Sequence, residues 1–310
     1  MLKKCFYFFF GLIILRYTYC FLFHKKIIPK NQPILITGAA SGIGFETTKL
    51  LASKGFFVYA TDINQKLLEK NLSKLKNVKT FQLDITKPKE IKKVVKLIEN
   101  EKGHLFGLIN NAGVVHINNQ KFVKSISEMD LETEIKPVFE INVFGMMQMV
   151  SSFIKLLKVK NEDKSIIINV ASIAGLVGLS HSGVYSATKF SVVGYSESLR
   201  KELKNHIRVS VIQPSFVDTP ILKVISKTKS QFDDFELNYE IRKRSLKKID
   251  LLSSLDVAKQ ILNNVISDPT PTQSPVVFLL DSIYMFVLRL APAFIADEVE
   301  IFFIKLTSNL

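Results

Sequence analysis

From residue 33 onward the chain alternates short β-branched runs with helical stretches, and that rhythm admits few folds. Strands joined by helical crossovers pair in parallel, and a parallel sheet needs helices on both faces. The run Pro33, Ile34, Leu35, Ile36, Thr37 reads as a buried first strand. A Gly-rich turn ends it, a helix from about 42 to 54 follows, and Gly55 leads into a second strand over 56–61. Strands three and four are expected over 77–84 and 104–110. Between them, over 88–101, Ile91, Val94, Val95 and Ile98 fall on one helical face. Strand five over 164–172 and strand six over 206–214 flank a long helix, and 275–280 reads as a seventh strand. The expectation is an α/β chain with a doubly wound parallel sheet of about seven strands and helices on both faces. No linker interrupts 33–280.

Composition removes several functions. With 47% hydrophobic and 23% charged residues among 310, the chain is globular rather than disordered. A formal net charge of +14 would permit nucleic-acid binding. However, the lysines are dispersed, and arginine occurs only at 16, 200, 208, 242, 244 and 289, so no nucleic-acid partner is expected. Both cysteines, Cys5 and Cys20, lie in the first twenty residues, which leaves the rest without thiolate chemistry or disulfides. His24, His104, His116, His181 and His206 show no metal-ligand spacing, so no metal is expected.

Residues 5–23 are nearly continuous apolar sequence of spanning length, broken by Arg16. They read as a signal anchor in a segment 1–28, ahead of a domain over 29–310. Lys25, Lys26 and Lys30 outnumber Lys3 and Lys4 across it, which puts the domain on the cytosolic side. An endoplasmic reticulum or other intracellular membrane is the expected location, and a homo-oligomer the expected assembly. The charged segment 219–252 sits where such folds place a lid. The apolar tail 278–294, carrying Asp281 and Arg289, is expected to pack on the domain or lie at the membrane interface.

The chemistry-bearing residues follow the strands. Thr37, Gly38, Ser41, Gly42, Ile43 and Gly44 form a T-G-x-x-x-G-I-G turn between the first strand and first helix. There backbone can approach a pyrophosphate, with N–H groups and the positive end of the helix dipole supplied by the helix N-terminus. Asp62 follows the second strand. A carboxylate there accepts from a ribose 2′-hydroxyl and repels a 2′-phosphate, which predicts NAD over NADP. Tyr185 and Lys189 stand four apart, neighbours on a helical face. A cation beside a phenol favours phenolate and makes a tyrosine usable as an acid or base. Ser172 on a neighbouring loop could hold a substrate oxygen against it.

Together these motifs, with Asn110, Asn111, Ala112, Gly113 and Asn142, resemble the single-domain branch of the short-chain dehydrogenase/reductase family over about 33–280. The resemblance implies a Rossmann fold and hydride transfer between a nicotinamide cofactor and an alcohol or carbonyl. It implies that Tyr185 exchanges the proton, Ser172 binds the reacting oxygen, and Lys189 lowers the tyrosine and binds the nicotinamide ribose. Asn142 would hold a relay water. Asp84 and Ile85, in the run Leu83 to Thr86, would serve the adenine. Asn111, Ala112 and Gly113 would line its ribose, and Thr219 would contact the carboxamide.

One departure is Ser215 after Pro214, where the family usually has glycine. Residues 290–297 are similar to the C-terminal part of retinol and hydroxysteroid dehydrogenases, which with the anchor makes a retinoid, steroid or other lipid the expected substrate. The rivals are an NADPH-dependent ketosphinganine-type reductase and a non-catalytic nucleotide-binding scaffold. Three further features are expected to carry no function: His181 caps a helix or faces solvent, the Met146, Met147 and Met149 cluster is core or interface, and the Asn71, Leu72, Ser73 sequon stays silent on a cytosolic face.

Overall fold

A computed structural model of the chain describes residues 25–26, 31–116, 129–158, 163–178, 182–219, 252–268, 270 and 273–276. Residues 1–24, the interior of the lid segment, His181 and the tail beyond 276 lie outside the described residues, and with them the expectations made for those parts.

Among the described residues, seven parallel strands form one sheet: β1 (Pro33–Thr37), β2 (Phe57–Asp62), β3 (Val78–Gln82), β4 (Gly107–Asn110), β5 (Ser165–Val170), β6 (Ile207–Pro214) and β7 (Gln273–Val276). Their order is β3-β2-β1-β4-β5-β6-β7, so the chain reverses direction across the sheet between β1 and β4. The fold is the doubly wound one the alternation predicts, and crevices in such sheets open at that switch point beyond the strands' carboxyl ends.

The helices are α1 (Gly42–Ser53), α2 (Gln65–Leu72), α3 (Pro88–Lys102), α4 (Leu131–Leu157), α5 (Gly183–Glu202) and α6 (Ser254–Ile266). They divide the core in two. Alternate residues of β1, Leu35 on one side and Ile34 and Ile36 on the other, belong to separate apolar clusters. The first cluster joins α3, α4 and α5 through residues such as Ile91, Phe153 and Val192; the second joins α1, α2 and α6 through Leu51, Leu68 and Ile261. This strand pattern, buried on both faces, is what a parallel sheet demands.

Three elements went unassigned from sequence. Helix α2 spans eight residues, and its start rests on Asn64, whose side chain accepts from the Leu67 amide at 3.1 Å. Helix α6 begins with a capping box in which Ser253 and Asp256 satisfy each other's backbone amides, a signal that is visible in the sequence. Helix α4 is long and apolar enough to cross a membrane, yet Val138, Val143, Met146, Met149, Val150 and Phe153 are buried in the core. Met147 is half-buried, so the methionine cluster is mostly core. Helix α4 also widens into π-turns at Leu131–Ile135 and Glu140–Gly145, a local form frequent at functional sites.

Candidate active site

The expected site residues gather beyond the carboxyl ends of the strands. Thr37 closes β1, Asp62 closes β2, Asp84 and Ile85 follow β3, Asn111 follows β4, Ser172 follows β5, and Thr219 lies just past β6. Thr37 stitches the switch point. Its Oγ1 accepts from the Asn111 and Ala112 amides, both at 3.1 Å, while Asn111 Nδ2 donates to the carbonyls of Thr37 and Gly38, both at 3.0 Å.

Beyond it the chain turns through Gly38 and Gly42, with φ of 67° and 54°, into α1. A Cβ on Gly44 would lie 2.2 Å from the Gly38 carbonyl oxygen, so no other residue fits where the helix crosses back over the turn. Ser41 stands at the N-cap, exposed, and its hydroxyl makes no capping bond. Asp62 spans the end of this turn: Oδ2 accepts from the Ala40 amide at 3.0 Å and Oδ1 from the Asn64 amide at 2.9 Å. The Asp84 carboxylate accepts from the Thr86 amide (2.9 Å) and hydroxyl (2.7 Å). Buried Ile85 packs so close to α4 that a Cβ on Gly145 would come within 2.9 Å of it.

The π-turn Glu140–Gly145 carries Asn142, whose buried side chain is bonded to protein through both its oxygen and its nitrogen. Oδ1 accepts from the Val114 amide (2.8 Å), and Nδ2 donates to the Val114 carbonyl (2.7 Å) and to Thr188 Oγ1 (3.1 Å). Thr188 in turn donates to the Tyr185 carbonyl at 2.7 Å. One amide therefore binds the loop after β4 to the helix bearing Tyr185 and Lys189. Thr188 joins the site in this way unannounced by any motif.

Ser172 caps the 3₁₀ turn Ile173–Gly175, its hydroxyl accepting from the Ala174 amide at 3.2 Å, and it is hydrogen-bonded to the Tyr185 side chain. A Cβ on Gly175 would sit 2.6 Å from the Lys189 carbonyl oxygen, so the absence of a side chain there sets how closely α5 approaches Ser172. Lys189 Nζ lies 5.6 Å from the Tyr185 ring centre and donates to the Val170 carbonyl at 3.0 Å. A Cβ on Gly113 would stand 3.5 Å from that Nζ and 3.2 Å from Asn142 Oδ1.

The electrostatics differ from what the spacing alone suggests. Burial pushes the Tyr185 phenol up to about 12, with the Ser172 hydrogen bond working in the opposite direction. Burial also brings the Lys189 ammonium down to about 8. Desolvation thus outweighs the expected help of cation to phenolate, because both groups sit in the same low-dielectric wall.

Behind the site, a chain of buried bonds runs from Asn110 Nδ2 to Asn169 Oδ1 (2.8 Å), from Asn169 Nδ2 to Ser196 Oγ (2.8 Å), and from Ser196 to the Val192 carbonyl (2.6 Å). It locks β4 and β5 to α5. Ser215 takes no left-handed φ, so the missing glycine after Pro214 does not strain that turn. Thr219 Oγ1 turns back onto the Val217 carbonyl at 3.3 Å. The chain on either side of 220–251 meets: the Asp218 amide donates to the Leu252 carbonyl (2.9 Å) and the Leu252 amide to the Phe216 carbonyl (3.1 Å).

A doubly wound sheet with a Ser, Tyr and Lys set at its carboxyl edge defines a Rossmann-type oxidoreductase. Residues 32–230 match the family described as short chain dehydrogenase, and the chain belongs to that family. It is an oxidoreductase acting on alcohol and carbonyl groups.

The 3-ketodihydrosphingosine reductase of Bacteroides thetaiotaomicron is 33% identical over 222 residues, covering 71% of this chain and 76% of that protein. The 3-oxoacyl-[acyl-carrier-protein] reductase of Thermotoga maritima is 34% identical over 197 residues, covering 62% and 76%. Among solved structures, the 3-ketoacyl-(acyl-carrier-protein) reductase of Brucella melitensis complexed with NADH superposes with a TM-score of 0.67 at 26% identity, covering 79% of this chain and 96% of that one. A short chain dehydrogenase/reductase from Burkholderia phymatum in complex with NAD shares the fold, with a TM-score of 0.68 at 23% identity, covering 80% and 90%.

Proposed function

We propose that the chain transfers hydride between a nicotinamide dinucleotide, NAD in preference to NADP, and an alcohol or carbonyl of an apolar substrate such as a retinoid, steroid or other lipid. The observation that carries this reading is Tyr185 hydrogen-bonded to Ser172 with Lys189 donating to the strand behind them. The dinucleotide would lie along Thr37, Gly38, Ser41, Gly42, Ile43 and Gly44, with Asp62 at its adenosine ribose, Asp84 and Ile85 at the adenine, and Asn111 to Gly113 beside them. The two bound N–H groups leave Asp62 lone pairs to accept ribose hydroxyls, and the close approach of Gly44 to Gly38 leaves room for a pyrophosphate against bare backbone. Thr219 would contact the carboxamide.

The cofactor supplies the hydride acceptor or donor. Ser172 holds the substrate oxygen, and Tyr185 gives or takes its proton at Oη. Lys189 binds the nicotinamide ribose, and a water beside Asn142 returns the proton to solvent. Residues 1–28 would anchor the domain at an intracellular membrane, where an apolar substrate is concentrated.

A second reading has a specific support. The relative from Bacteroides thetaiotaomicron bears the name of a ketosphinganine-type reductase, so a long-chain 3-oxo compound is the rival substrate. The test is a panel of retinal, a 3-ketosteroid and a long-chain 3-oxo compound, followed by NADH and NADPH fluorescence. Turnover with NADH is expected to exceed that with NADPH, and equal or better use of NADPH would refute the role given to Asp62. Tyr185→Phe is expected to lose activity by about 10²–10⁴-fold while still binding NADH. Full turnover in that variant would point to a non-catalytic or differently acting site.

A further inference from the structure

We infer that Asn71 is a positioning residue for the dinucleotide turn, acting through the peptide groups of Ala40; the inference rests on the cofactor reading above. Ala40 is gripped on both its backbone groups by side chains. Its amide donates to Asp62 Oδ2 at 3.0 Å, and its carbonyl accepts from Asn71 Nδ2 at 2.9 Å. One grip comes from the end of β2, the other from the last turn of α2, thirty-one residues along the chain.

The neighbours are held as well, Ala39 by the Thr61 carbonyl at 3.0 Å and the Gly38 carbonyl by Asn111. Ala40 is the last residue before Ser41 and Gly42 open α1, so a rotation of its carbonyl re-aims the first amides of that helix. Asn71 occupies an exposed helical position, where a lysine or glutamate would serve the helix better than an asparagine. Its amide instead leaves the helix to reach the turn. Leu68 and Leu72, both fully buried, fix α2 against the sheet, and Asn71 transmits that fixed position to Ala40.

The nitrogen that makes this bond is also the atom the Asn71, Leu72, Ser73 sequon would offer to a glycan. Ser73→Ala abolishes the sequon and keeps the amide, which makes it the control. Asn71→Asp keeps the shape and presents an oxygen to the Ala40 carbonyl, while Asn71→Ala removes the contact without repulsion.

The experiment uses the full chain in detergent and reads NADH affinity by fluorescence, kcat and KM with the best carbonyl substrate of the panel, and thermal midpoint. Both Asn71 variants are expected to raise the Kd for NADH, Asn71→Asp by about tenfold, with kcat at saturating NADH and the substrate KM unchanged. Ser73→Ala should behave as wild type. Unchanged NADH affinity in both Asn71 variants would overturn the inference, as would a joint fall of affinity, kcat and thermal midpoint, the signature of damage to α2 alone. A wild-type protein that binds neither NADH nor NADPH would overturn the cofactor reading and this inference with it.

Discussion

Lys189 serves two opposed requirements. Its position against Val170 and Tyr185 demands burial, and burial disfavours the charge that makes it useful. The cost has a measurable pH signature. The ammonium is held down to about 8 in the folded protein against an ordinary value of 10.5, so between those values the unfolded chain keeps a proton the folded one has released. The stability contributed by this group therefore rises with pH through that range and is lost as pH falls through the folded value. Tyr185 works in the opposite sense: its phenol is raised from 10.0 to about 12, so its stabilisation is full below pH 10 and fades above it. Between pH 8 and 10 the lysine acts alone of the two. Relative to Lys189→Met, the wild type is expected to gain about 2 kcal/mol between pH 7 and 10. Denaturant midpoints for the two proteins would read it, and parallel curves would mean that Nζ is solvated.

At this scale the meeting of Ser172, Tyr185 and Lys189 was legible because the proton transfer proposed for them restricts both residue type and spacing. The sequence did not announce Thr188, Asn169 or Asn71. Their partners are backbone atoms or small polar side chains on other elements, and such bonds leave no local pattern.

Among the elements, α6 has its end held in an unusual way. Arg208 on β6, buried at 8% exposure, donates through Nη1 to the carbonyls of Asn264 (3.3 Å) and Ser267 (2.9 Å) and through Nη2 to Val265 (3.1 Å). Its Nε donates to the Lys164 carbonyl at 3.0 Å. The guanidinium lies 5.7 Å from the Phe106 ring centre. A cation at a helix C-terminus meets the negative end of the dipole and the carbonyls left without intrahelical partners. Arg208→Met should lower unfolding stability by about 3 kcal/mol, because it strips charge-assisted bonds from buried carbonyls. Arg208→Lys should recover only part of that, since an ammonium cannot fork across the same oxygens. Wild-type stability in Arg208→Lys would show that charge alone matters. The capping box at the start of α6 was legible from residue types, whereas Arg208 in a β-branched run looks like an ordinary strand residue. The π-turns of α4 were equally hidden, because their widening accompanies the packing of Gly145 on Ile85 and the turn of Asn142 toward Val114.

For the molecule as a whole, the doubly wound parallel sheet was legible from the βαβ rhythm, since helical crossovers impose parallel pairing, but the order of its strands was not. Where the N-terminal segment meets the domain was not legible. Lys25 and Lys26 pair antiparallel with Asp268 and Ser267, directly after α6. That junction lies beside Arg208, near the start of β6, and so at the opposite end of the sheet from Ser172 and Tyr185. A protein beginning at Lys25 retains the pairing, so it is expected to fold and to stay in the supernatant on ultracentrifugation, while the full chain pellets with membranes. Pelleting of both would place membrane affinity elsewhere in the molecule.

The meeting of Phe216 and Asp218 with Leu252 has a practical meaning. Because the two ends of the intervening stretch are joined to each other by paired backbone bonds, that stretch can be treated as a cassette. Its length and composition can change by evolution or by grafting while the β6 exit and the start of α6 keep their places. A graft of that stretch is therefore expected to leave Ser172, Tyr185 and Lys189 where they stand.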